Sequence, residues 1–177
     1  MKQEMGDTLQ IDWRYFPLEQ VNAPDESFKL WEKPADYKSR GRISFQAASA
    51  ASAQGADAFS RFHLALLTLK HEDGKDHGKT ATLEEAATEA GLDLERFRRD
   101  AADQSAWEQI RADYEHGHDE HGVFGTPTIM FENGQGAYLK LNPKQLPDDP
   151  VAFFRDFVDT VRDRPSVIEI KRPSRAA

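Results

Sequence analysis

Along residues 8 to 16, T-L-Q-I-D-W-R-Y-F, apolar and polar positions alternate. Leu9, Ile11, Trp13 and Tyr15 fall on one side, Gln10, Asp12 and Arg14 on the other. A period of two with Ile, Trp and Tyr on the apolar side predicts a half-buried strand, and Pro17 ends it. A loop carrying Pro24 and Pro34 runs on to Gly41. The period then changes. Residues 44 to 54, S-F-Q-A-A-S-A-A-S-A-Q, are rich in alanine and closed by Gly55, which predicts a helix with a glycine stop. Residues 57 to 71 place Phe59, Phe62, Leu66 and Leu69 on one helical face, with Ala65 and Leu67 beside them. The polar run H-E-D-G-K-D-H-G-K predicts a loop. Thr82 followed by L-E-E has the form of a capping box, and Gly91 closes that helix. Asp93 caps the next, which carries Leu94 and Phe97, and a further helix from about Gln104 to His116 carries Trp107, Ile110 and Tyr114.

Residues 122 to 128, G-V-F-G-T-P-T, break this helical run with two glycines and a proline. T-I-M-F-E follows as a short apolar strand, N-G-Q-G as a hairpin signal and A-Y-L-K-L as the returning strand. Asp149-Pro150 opens a last helix with Val151, Phe153, Phe154, Phe157, Val158 and Val161, proline being well tolerated in a first helical turn. The order is therefore strand, helical block, strand, hairpin, strand, helix. Strands separated by helices predict an α/β layer with an inserted helical subdomain.

Composition narrows the functional classes. The chain has 177 residues, enough for one domain with a sizeable insertion. Hydrophobic residues make up 38 %, with 11 Phe, 3 Trp and 4 Tyr, so a packed core is expected. The net charge of -8 argues against nucleic acid and against an anionic membrane as partners. No apolar run approaches the roughly 20 residues of a membrane span, and M-K-Q-E-M-G-D lacks the apolar stretch of a secretory signal. A soluble cytoplasmic protein is the expectation. The chain contains no cysteine, which excludes disulfides, thiolate metal ligands and a cysteine nucleophile within it.

The stretch G-V-F-G-T-P-T, followed by strand, glycine hairpin, strand and helix, resembles the second half of the thioredoxin fold. More narrowly it resembles the DsbA family, including its FrnE-like cytoplasmic members. W-R-Y-F-P-L-E-Q-V-N is similar to the strand and F-P-L signature that follows the active-site helix there. F-H-L-A-L-L-T-L-K-H-E-D-G and E-A-G-L-D-L-E-R-F are similar to the family's helical insertion. The resemblance spans roughly residues 8 to 172. It implies a thioredoxin-like fold in which residues 1–41 and 122–177 form a partial thioredoxin-like domain and residues 42–121 the helical insertion. It also implies a cis proline at Pro127 and substrate binding at Gly125, Thr126 and Pro127, with the backbone of Thr126 holding an extended segment. The implied partner is an extended peptide or a protein thiol. No cofactor and no metal follow from it.

The departures matter as much. DsbA-like proteins begin with a strand and a C-x-x-C motif at the start of a helix, because thiol-disulfide exchange needs a thiolate of lowered pKa. No residue here matches either cysteine, and residues 1 to 7 read as the end of the helix that would carry them. The family's reaction is therefore not expected of this chain as written. In the family the absent strand is central, between the strands matching 9–15 and 127–132. Such a strand with about four core side chains contributes on the order of 6–12 kcal/mol of apolar burial, against a total stability of ~5–15 kcal/mol. Three arrangements would compensate. The natural protein starts upstream, which is the leading reading; or a second chain, as a homo-oligomer or strand donor, fills the gap; or the tail V-I-E-I folds back into it. A redox-dead peptide-binding module is the competing function. The branch holding glutathione S-transferase kappa and chromene-carboxylate isomerase shares the fold, but G-T-P-T fits it less well.

His116, His118 and His121, with Asp119 and Glu120, invite a metal reading. On a helix 116 and 118 fall on opposite sides and only 118 and 121 share a face, so a solvated helix end is expected instead. G-x-x-G-T-P lacks the Gly-Lys-Ser/Thr of a phosphate loop. The basic run I-K-R-P-S-R reads as a frayed tail.

Overall fold

The computed structural model describes residues 2–25, 27–142 and 144–171, and the basic tail from residue 172 lies outside them. The chain divides into two compact units, residues 14–117 and residues 1–13 with 118–177.

The first unit is helical. After a short α2, Leu18–Val21, and a 3-10 turn at Leu30–Glu32, five helices follow: α3 (Arg40–Ser52), α4 (Ala56–His71), α5 (Thr80–Glu89), α6 (Leu94–Ala101) and α7 (Ala106–Glu115). Helix α3 is the hub and packs on α4, α5, α6 and α7. Its alanines explain this. Ala47, Ala50 and Ala51 are fully buried at a spacing of three and four, so helices approach closely along that stripe. Phe59, Phe62 and Leu69 from α4, Leu83, Ala86 and Ala87 from α5, and Phe97 from α6 complete the core. A second cluster forms where Leu30 meets Trp107 and Ile110 of α7, with Tyr15, Phe28, Trp31, Tyr37 and Phe45 packed around it. These aromatic residues place segment 14–41 with the helices, although the family resemblance groups it with the thioredoxin-like part.

Several ends obey local chemistry. Ser39 caps α3 by accepting from Arg42 N–H (3.1 Å), and Asp93 caps α6 by accepting from Arg96 N–H (3.0 Å). Gly91, at φ +67°, closes α5 in the left-handed region, and Leu92 N–H reaches back to the Ala87 carbonyl. The capping box expected at Thr82 is not formed. Helix α5 already starts at Thr80, Thr82 is buried within it, and the helix N-cap position is Lys79. The helix expected from 44 starts four residues earlier, at Arg40.

The second unit holds a short α1, Lys2–Met5, and a 3-10 turn at Gly6–Thr8. It also holds two strands, β1 (Thr128–Met130) and β2 (Gly136–Tyr138), and helix α8 (Pro150–Val161). The strands pair antiparallel, with Thr128 opposite Tyr138, Ile129 opposite Ala137 and Met130 opposite Gly136. The N-G-Q-G turn joins them, with Phe131 N–H donating to the Gln135 carbonyl (2.8 Å). The returning strand is shorter than expected, ending at Tyr138 rather than Leu141. Asp149 caps α8 by accepting from Val151 and Ala152 N–H (3.0 and 2.8 Å). Phe131 meets Phe157 of α8 with ring centroids 6.2 Å apart, and Asn133 donates to the Arg162 carbonyl at the helix end (2.9 Å).

The strand expected over residues 8 to 16 is absent. A strand persists only where a neighbour takes its N–H and C=O groups, and the one sheet among the described residues contains β1 and β2 alone. Leu9 N–H instead turns back to Gly6, and Tyr15 N–H donates to the Asp113 carboxylate (3.0 Å). Phe16 stacks on Tyr114 (5.1 Å), while Ile11 and Trp13 stay exposed. The tail does not fold back as a strand either: Ile168 is 96 % exposed. Among the described residues of this unit only Val123 is a buried apolar side chain, and α8 has none. The apolar positions of α8, Val151, Phe153, Phe154, Phe157, Val158 and Val161, are partly covered rather than fully buried.

Candidate functional site: the turn before β1

The approach to β1 is built by a change of helix type. Helix α7 ends at Glu115 and the chain widens into a π-helical turn, His116–Glu120. Gly122 then takes φ +65°, a conformation closed to most side chains, and its N–H donates to the His118 carbonyl (3.1 Å). This reverses the chain and delivers Val123 inward and Phe124 outward.

Of the residues expected to bind substrate, Gly125 is buried and Thr126 and Pro127 are exposed. The Thr126–Pro127 peptide bond is cis. A Cβ on Gly125 would stand 3.3 Å from the Tyr138 ring, so glycine lets that ring lie against the turn. The Thr128 hydroxyl donates to the Gly125 carbonyl (2.7 Å) and closes the turn from the strand side. Pro127 has no N–H, but its carbonyl accepts from Leu139 N–H (3.0 Å), so β2 grips the turn just beyond the last ladder pair.

Three residues at this site carry no motif signal. Phe124 is 68 % exposed and meets the Tyr138 ring at 5.4 Å. Tyr138 is 38 % and Met130 37 % exposed. They surround the turn and first strand with apolar surface open to solvent. The sequence cue is the apolar residue ahead of the second glycine, together with the register of the N-G-Q-G hairpin.

The histidines beside the turn do not gather. His118 Nδ1 lies 2.7 Å from Asp119 Oδ1, and among the described residues no group of three His, Asp or Glu side chains could hold a metal ion. The chain offers no thiol. What the turn and β1 can do chemically is present peptide N–H and C=O groups and apolar side chains. No described helix is long and apolar enough to cross a membrane.

A short antiparallel hairpin, entered through a Gly-Thr-Pro turn and followed by a helix, with a helical unit placed ahead of it in sequence, defines an α/β protein of the thioredoxin class. A family model described as Thioredoxin matches residues 15–145. The chain belongs to the thioredoxin family. No curated protein matches it.

Proposed function

We propose that the chain is a DsbA-type member of its family that holds an extended polypeptide at the Thr126–Pro127 turn, and that it supplies no thiol chemistry of its own. The observation carrying this reading is the placement of that turn. Thr126 and Pro127 are exposed at the head of β1, so the backbone of the turn lies open to an extended chain, as main-chain recognition of a peptide requires. The DsbA-type assignment is supported by the order of the F-P-L segment, the helical unit, the G-T-P-T turn and the hairpin within one chain. The inertness is a matter of composition: exchange proceeds by attack of a thiolate on a disulfide sulfur, and this chain has no cysteine.

The test has two arms. A fluorescently labelled, reduced and carboxymethylated polypeptide is titrated with the protein, with and without dithiothreitol. Saturable binding that is indifferent to the reductant is expected, and absence of binding overturns the holding role. In parallel, insulin reduction by dithiothreitol is followed with and without the protein. The two rates should be equal, and a clear acceleration overturns the claim of inertness.

A further inference from the structure

The turn that joins β1 to β2 also closes the far end of α8, and one side chain does both. Asn133 Oδ1 accepts from Gln135 N–H (3.1 Å), which shapes the turn. Asn133 Nδ2 donates to the Arg162 carbonyl (2.9 Å). Arg162 is the C-cap of α8, and carbonyls at the end of a helix have no partner inside it. Asn133 is therefore a cap supplied from outside the helix. The backbone beyond it is held as well. Gly134 sits at φ +79°, and its N–H donates to the Phe131 carbonyl (2.9 Å).

The same dipeptide is open to a reaction of its own. In Asn-Gly the backbone nitrogen of the glycine can add to the asparagine Cγ, because no Cβ obstructs the approach. The chain has three asparagines. Asn22 precedes Ala23, whose Cβ crowds the attack, and Asn142 precedes Pro143, whose nitrogen carries no hydrogen. Asn133 is the one followed by glycine, and both residues of the pair are exposed.

From this juxtaposition we infer that Asn133 is the site of spontaneous deamidation in this chain, that opening of the turn gates the reaction, and that the reaction releases the end of α8 from the hairpin. The Gly134 nitrogen gives up its proton to solvent base and bonds to Asn133 Cγ. The Cγ–Nδ2 bond breaks, the nitrogen takes up a proton and leaves as ammonia, and a cyclic imide remains. Water opens the ring at one or the other carbonyl, giving aspartate or isoaspartate without oxidant or cofactor. The closed turn withholds both partners of the first step. The Gly134 N–H is engaged by the Phe131 carbonyl, and the amide to be expelled is engaged by the Arg162 carbonyl. Once formed, the carboxylate has no proton to donate. It faces a carbonyl oxygen at the negative end of the α8 dipole, so an attraction becomes a repulsion. The nearby Arg162 guanidinium is already engaged by Asp163 through Nε and Nη2 (2.7 and 2.9 Å).

Peptide mapping by mass spectrometry tests the site. The three asparagines fall in different tryptic peptides, residues 15–29, 112–140 and 141–144. After incubation of the protein in mildly alkaline buffer, conversion of amide to acid should accumulate in peptide 112–140. Fragment ions should place it on Asn133 and not on Gln135. In guanidinium chloride the same conversion should run faster. Conversion led by Asn22 or Gln135, or equal rates in the folded and unfolded chain, overturns the inference. Amide exchange followed by nuclear magnetic resonance tests the consequence. The Arg162 N–H, bonded to the Val158 carbonyl (2.8 Å), should exchange roughly fivefold faster in Asn133→Asp. The deamidated chain, separated by ion exchange, should show the same acceleration. Unchanged exchange in both overturns the release of α8.

Discussion

Asp113 shows how a single side chain fixes a segment that sequence patterning misplaces. It is 5 % exposed and accepts hydrogen bonds from Tyr15 N–H (3.0 Å), Arg14 Nη1 (3.2 Å) and Gln109 Nε2 (2.8 Å). A buried carboxylate saturated in this way is worth more than an exposed ion pair, because removing it leaves the partly buried Tyr15 N–H without its acceptor. Asp113→Ala should lower stability by about 2–3 kcal/mol in denaturant unfolding, and Asp113→Asn, which keeps an acceptor for Tyr15 N–H, by less. His63 sets a pH dependence in the same unit. Burial pushes its imidazole below the ordinary value, and its ring stacks on Phe59 at 5.6 Å. A histidine with a depressed folded value binds its proton more readily in the unfolded chain. Its contribution is therefore fully present above the unfolded value of about 6.5 and lost as pH falls below it. Thermal unfolding of His63→Gln, followed from pH 7 downward, should decline less steeply than that of the native chain; parallel curves would exclude His63 as a source of the slope.

Among the elements, those with complete local signals were legible in the sequence. Helix α4 carries its own apolar face, α6 and α8 their aspartate caps, and the hairpin its Asn-Gly turn. Residues 8 to 16 carry an equally good strand pattern, yet no strand forms, because a strand depends on a partner elsewhere and local alternation says nothing about that partner. Thr82 fails as a cap for a similar reason: its side chain is taken up by the core. At the site, the position of the turn was readable from its glycines and proline. The outer face of Phe124, Tyr138 and Met130 was not, since only the hairpin register decides which side chains share a face. Gly122 is the element-level test of the turn. Its φ of +65° disfavours a side chain although nothing lies within 4 Å of a built Cβ. Gly122→Ala should cost about 1–2 kcal/mol through backbone conformation alone, read as faster amide exchange in β1, with Gly122→Asn costing less because asparagine tolerates this region better.

Across the whole molecule the two units differ in how completely they bury their apolar residues. The helical unit has a continuous core around Phe62, Ala86 and Ala87 and a second around Leu30 and Ile110. In the unit containing the hairpin, α8 has no fully buried side chain. Local opening free energies follow burial and packing, so native-state hydrogen exchange should find the amides of Phe62, Ala87 and Ile110 protected well beyond those of β1 and α8; equal protection would mean that the hairpin unit is as well consolidated as the helices. The proposed role is the holding of extended chain at the exposed Thr126–Pro127 turn, and this chain supplies no thiolate for exchange. The most direct measurement is a nuclear magnetic resonance titration of the isotope-labelled protein with an unfolded, thiol-free polypeptide. The account predicts shifts concentrated on the amides of Phe124, Thr126, Thr128 and Met130, saturating with one affinity and unchanged by reductant. Shifts confined to the helical unit, or none at saturating polypeptide, would contradict it.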